Sequence, residues 1–130
     1  MNTYRIGVLL LAALGFLVFG LWFLVDPIGP LAMIGIEVSG PAAATEFRAF
    51  YGGLLTGLGL LTLAAAARPA WRVPGLWLVL AANAGIAAGR LLGVAIDGVW
   101  VPFFTWALLW ELGFAALAAA GLAGTKAPPR

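Results

Sequence analysis

The chain has 130 residues, of which 64% are hydrophobic and 9% charged, with a net charge of +2. A soluble domain carries roughly 25% charged residues, so the composition excludes a soluble enzyme, a nucleic-acid binder and a disordered tail. What is left is a small all-α, polytopic membrane protein of one domain, 1–130. With no Cys and no His, the chain lacks a disulfide, a thiolate nucleophile and the usual ligands of zinc, copper and haem. No metal and no cofactor is expected.

A bilayer core about 30 Å thick takes about 20 apolar residues of helix, and four stretches qualify. The first, about 6–25, runs from Ile6 to Val25 and stops at Asp26-Pro27. Arg5 ahead of it fits the start of a signal peptide, but the run exceeds an h-region and no small-x-small site follows directly, so it reads as a retained helix. Pro27 to Glu37 is too short to span. It reads as a loop with a short interfacial helix, capped by Asp26 and with Pro27 as the first helical residue. The second span, about 42–67, follows Ser39-Gly40-Pro41 and ends before Arg68-Pro69. The third, about 74–96, ends at Asp97-Gly98, and the fourth, about 99–123, precedes a polar tail with Lys126 and Arg130. The expected architecture is an antiparallel bundle of four transmembrane helices.

Charge at the flanks orients the bundle. Arg5, Arg68, Arg72, Lys126 and Arg130 fall on one side, and Asp26, Glu37 and Asp97 on the other. The positive-inside rule then puts both termini and the middle loop in the cytoplasm. Phe19, Trp22, Phe23, Trp100, Phe103 and Phe104 form an aromatic belt at the outer interface, with Trp71 and Trp77 at the inner one. Small residues provide the packing surfaces: Gly52, Gly53, Gly57 and Gly59 on the second span, and Gly85, Gly89 and Gly93 at four-residue spacing on the third. Such ridges let helix backbones approach where the hydrophobic effect no longer drives association, and packing within the chain is their expected use.

Four charges remain within or near the membrane: Glu46, Arg48, Arg90 and Glu111. Each costs about 2.5–3.5 kcal/mol at a helix centre, and two acids balance two bases. Arg90 lies seven residues before Asp97, roughly 10 Å of helix, and Glu111 about twelve residues after Val99, roughly 18 Å. The Asp97-Gly98 turn makes the last two spans antiparallel neighbours, so Arg90, Glu111 and Asn83 can form one buried polar cluster. Glu46, Arg48 and Tyr51 lie in the first turns of the second span, at a level near Arg90 and Asp97. Taken singly, Glu46 and Arg48 are interfacial charges, Tyr51 an interfacial aromatic and Asp97 a turn residue. Glu111 is either a proton-coupling or ligand-anchoring group or a structural hydrogen-bond partner. Trp106 and Trp110 read as lipid-facing or packing residues.

The order Glu46-x-Arg48-x-x-Tyr51-Gly52-Gly53, then Gly89-Arg90, then Asp97-Gly98, resembles an uncharacterised bacterial family of four-helix membrane proteins known as a domain of unknown function. Asp26-Pro27 and the Arg68 to Arg72 loop fit the same pattern. A looser similarity extends to the DoxX-like four-helix proteins, some of them redox accessory subunits, although this chain lacks cysteines. The resemblance implies a bacterial inner-membrane location and no particular activity.

Three functions fit the sequence. The first, and the favoured one, is a binding or transport protein whose Glu46, Arg48, Tyr51, Asn83, Arg90, Asp97 and Glu111 hold a small anionic or amphipathic, lipid-like ligand from the outer side. The second is a structural or accessory subunit, as a homo-oligomer or in a larger membrane complex, with the charged cluster locking the helices. The third, an intramembrane enzyme, is the least favoured, because general acid–base catalysis needs two groups within reach of one substrate and Glu46 and Glu111 differ in depth. The lipid bilayer is the one partner common to all three, and nucleic acid is partner to none.

Overall fold

The structure is a computed structural model that describes residues 1–124; Lys126 and Arg130, assigned above to the basic side, lie outside them. Helix α1 (Asn2–Val25) begins before the apolar run because its polar first turn finds partners on the last helix. Tyr4 Oη donates to Leu117 O at 2.8 Å and Arg5 Nε to Gly121 O at 3.0 Å. After α1 the Asp26 carboxylate accepts the backbone N–H of Gly29 at 2.8 Å and of Ile28 at 3.3 Å. The short helix α2 (Gly29–Met33) starts there, with Pro30 in its first turn. Asp26 thus satisfies backbone donors as expected, but Pro27 precedes the helix instead of opening it.

The second span is continuous from Pro41 to Ala67 but not uniform. It comprises α3 (Pro41–Phe47), a π-helical stretch Arg48–Leu54 and α4 (Leu55–Ala67). The wider turns of a π-helix are rare and concentrate at functional sites and strained segments. Here they coincide with Gly52-Gly53 and with a close approach to α1, where a Cβ on Gly52 would lie 2.8 Å from Leu24 Cδ2 and 3.0 Å from Leu24 N. A single 3₁₀ turn, Pro69–Trp71, leads into α5 (Arg72–Asp97). Gly98, at φ 66°, ends α5 in the left-handed conformation that glycine adopts at no steric cost. The last helix, α6 (Pro102–Ala123), starts three residues later than the expected 99. Val101 is extended, at φ −118° and ψ 151°, as the residue before a proline is constrained to be, and Pro102 opens the helix.

These four spans are long and apolar enough to cross a membrane, and they pack antiparallel. The second span lies along α1, and α6 along α5; α1 also meets α5 and α6, and α4 meets α5. The apolar core joins Val8, Leu9, Ala12 and Phe16 of α1, Ala65 and Ala66 of α4, Leu76 and Val79 of α5, and Phe114, Ala118 and Leu122 of α6. Apart from Phe16, just past the middle of α1, these lie in the half of the bundle that ends at Arg5, Arg68 and Arg72; Phe23, Leu31 and Leu108 are buried nearer the other end. The other half, ending at Asp26 and Asp97, is where the charged residues enter the spans.

Glycines set the α1 contact. A Cβ on Gly20 would fall 2.5 Å from Thr56 N, and one on Gly59 would fall 2.6 Å from Leu17 Cγ. Gly57, by contrast, has nothing within 4 Å of that position. Gly20→Ala must therefore move backbone, and a cost of about 1–3 kcal/mol is expected. Gly57→Ala should be neutral or stabilising by up to about 1 kcal/mol through helix propensity. Unfolding of the two variants in detergent, followed by circular dichroism, checks the contrast.

Candidate functional site

Arg90 and Glu111 meet as the sequence spacing suggests. Arg90 Nη2 donates to Glu111 Oε1 at 2.5 Å and Nε to Oε2 at 3.2 Å, a two-pronged ion pair between α5 and α6. The late start of α6 helps. It places Glu111 nine residues from Pro102, roughly 14 Å of helix, against roughly 10 Å from Arg90 to Asp97. The remaining axial gap is well within the reach of an arginine. The guanidinium carbon also lies 5.6 Å from the Phe103 ring centroid and 5.4 Å from that of Phe104, a cation–π arrangement on the first turn of α6. The Arg90 side chain keeps 19% of its exposure and that of Glu111 8%, so the pair is largely withdrawn from its surroundings.

The third expected member behaves differently. Asn83 is buried, but its amide nitrogen donates to Val79 O at 2.9 Å, one turn back on its own helix. Buried Thr62 does the same, its hydroxyl donating to Leu58 O at 2.7 Å. Where water is absent, a short polar side chain satisfies itself most simply on a carbonyl of its own helix.

The residues of the second span form a separate group on α1. Arg48 is exposed, and its Nε donates to Leu24 O at 3.2 Å, one of the carbonyls that the end of α1 leaves without an intrahelical partner. The exposed Tyr51 ring lies 4.9 Å from Phe23 and 5.4 Å from Phe47 between centroids. Glu46 and Asp97 are both exposed. Two groups of polar residues thus stand where sequence depth suggested one level: Arg48 and Tyr51 against the end of α1, and Arg90 with Glu111 between α5 and α6.

Two further arginines repeat the role of Arg48. Arg5 donates to Gly121 O near the end of α6, and Arg72 Nε to Ala66 O at 3.4 Å near the end of α4. A cation there satisfies orphan carbonyls and complements the helix dipole. Sequence reasoning assigned Arg5 and Arg72 to orientation alone, yet each is a basic residue within reach of a helix end, which is the signal that marks such a cap. Trp110 packs as expected, with its ring 4.8 Å from Phe114 and its edge in the notch of Gly15, where a Cβ would fall 2.6 Å away. The Gly85 and Gly89 ridge departs from expectation: nothing lies within 4 Å of a Cβ at either position, so this ridge packs against no other helix of the chain.

Among the described residues, no group of three or more acidic side chains comes together in a way that could hold a metal ion. Residues 6–122 match the family described as a domain of unknown function, DUF4345. The chain belongs to that family. No curated protein and no solved structure matches it. The family's description names no ligand, reaction or partner.

The pair geometry separates its members. Arg90→Lys keeps the charge but replaces the fork with one ammonium, and loss of one charge-assisted hydrogen bond is expected to cost on the order of 1.5–3 kcal/mol. Asn83→Leu, of similar volume, should cost less than about 1.5 kcal/mol, because the Val79 carbonyl keeps its helical donor. Denaturant unfolding in detergent micelles compares the two.

Proposed function

We propose that this protein is a structural or accessory subunit of a membrane assembly, whose Arg90–Glu111 pair locks α5 to α6. The observation that carries this reading is the closure of the pair. Both carboxylate oxygens face Arg90, and the guanidinium lies beside two phenylalanine rings. A carboxylate held in this way is a fastening, not an open ligand anchor. Arg5, Arg48 and Arg72 are likewise engaged with helix-end carbonyls.

The open face of α5 supports the assembly part of the reading. Of the most apolar stretch of the third span, 17% is buried, against 44% for α1 and for α6. Gly85 and Gly89 stand on that open face with Ala81 and Ala88, all of them exposed. Small residues at four-residue spacing let a helix of another subunit approach closely. The distribution of Arg5, Arg68 and Arg72 against Asp26, Glu37 and Asp97 supports an orientation with both termini in the cytoplasm.

A second reading, binding or transport of a small anionic or amphipathic ligand, draws on one observation. Glu46, Arg48, Tyr51 and Asp97 stay exposed at the end of the bundle away from the main apolar cluster.

The paired variant Gly85→Leu/Gly89→Leu discriminates the two. Nothing within the chain opposes either side chain, so the fold and its helicity should be retained. Native mass spectrometry of wild type from mild detergent should give an assembly larger than one chain, and the variant should fall to a monomer. A monomeric wild type whose melting temperature rises with organic anions, and does so no longer in Arg48→Ala, would overturn the assembly reading in favour of the ligand one.

A further inference from the structure

The end of the bundle that carries Arg5, Arg68 and Arg72 has a second feature, independent of the Arg90–Glu111 pair. An open groove of about 380 Å³ runs between α4 and α5, lined by Leu61, Ala65, Trp71, Pro74, Gly75 and Leu78. From the Arg68 loop it descends to Leu61 on one wall and Leu78 on the other, about 9 Å of helix on each. No lining residue carries a charge. Its floor depends on Gly75, where a Cβ would lie 2.6 Å from Ala65 Cβ and 3.1 Å from Leu9 Cδ2. Any larger residue there would push α5 off the bundle.

The mouth of the groove is cationic. The Arg68 guanidinium carbon lies 4.5 Å from the centroid of the Trp71 ring, which itself lines the groove. Arg72 follows in the same loop, with its Nε on Ala66 O. Among the described residues, this end of the bundle holds three arginines, Arg5, Arg68 and Arg72, and no aspartate or glutamate. An indole at the headgroup level and arginines above an apolar slot are the elements by which membrane proteins retain lipids with charged headgroups.

We propose that this groove is a binding site for one anionic phospholipid. One acyl chain lies between α4 and α5, and the phosphate is held at Arg68 over Trp71. The apolar walls account for the chain and the unopposed cations for the charge of the headgroup. A zwitterionic lipid offers the same chain but no net charge, so the site discriminates between headgroups and not between chains. Arg72 contributes to the local field while it caps α4.

Native mass spectrometry of the delipidated protein, incubated with equal amounts of phosphatidylglycerol and phosphatidylcholine of identical chains, tests the site. One phosphatidylglycerol should be retained in preference to phosphatidylcholine. Arg68→Gln should reduce that preference about fivefold, the contribution of one arginine near a lipid surface, and Arg68→Lys should keep it. Leu78→Trp, which fills the groove from an incompletely buried position, should reduce retention of both lipids. Equal retention of the two lipids by wild type, or a preference that survives both Arg68→Gln and Leu78→Trp, would overturn the proposal.

Discussion

A bilayer offers no water to a stranded charge, and the ion pair between Arg90 and Glu111 is how this bundle carries two of them inside its spans. Each alone costs about 2.5–3.5 kcal/mol at a helix centre; together they cancel across the α5–α6 contact. Several local features serve that meeting. Gly98 stops α5 in a left-handed turn, Pro102 delays α6, and the delay lifts Glu111 toward the level of Arg90. Phe103 and Phe104, on the first turn of α6, lie beside the guanidinium. The pair fixes which faces of α5 and α6 meet, and therefore leaves the Gly85 and Gly89 face turned away from the chain.

The same requirement explains the other polar groups. Arg5, Arg48 and Arg72 each place a guanidinium N–H on a carbonyl near a helix end, where the helix has no donor of its own. Asn83 and Thr62 bond one turn back along their own helices. The main cluster of buried apolar side chains lies in the half of the bundle nearest Arg68. In the other half Phe23, Leu31 and Leu108 are buried, and close backbone contact adds to them through Gly20 and Gly52 between α1 and the second span. The π-helical turns at Arg48–Leu54 belong to that half, where Arg48 also reaches back to Leu24 O.

Most of the architecture was legible from the residues. Run length and flanking charge located four spans within a few residues, and the distances of Arg90 and Glu111 from a shared tight turn were enough to pair them. What could not be read was direction around each helix. A seven-residue face repeat and depth put Asn83 with Arg90 and Glu111, and depth alone brought Glu46, Arg48 and Tyr51 near the same level. Asn83 and Arg48 each took a nearby carbonyl, and Tyr51 packed on Phe23 and Phe47. Glycine spacing was ambiguous for the same reason: Gly52 and Gly59 pack on α1, whereas Gly85 and Gly89, with equally regular spacing, pack on nothing within the chain. The π-helical stretch has no period of its own that a hydrophobicity pattern would reveal.

The central claim is that Arg90 and Glu111 act as one fastening between α5 and α6. A double-mutant cycle on unfolding stability in detergent, with Arg90→Leu, Glu111→Leu and the two combined, addresses it most directly. Breaking a buried pair by removing one partner typically costs about 3–5 kcal/mol, whereas replacing both with apolar residues is near neutral. The account predicts that each single variant is destabilised by that order and that the double variant recovers most of the loss. Additive losses, or single variants as stable as wild type, would contradict it.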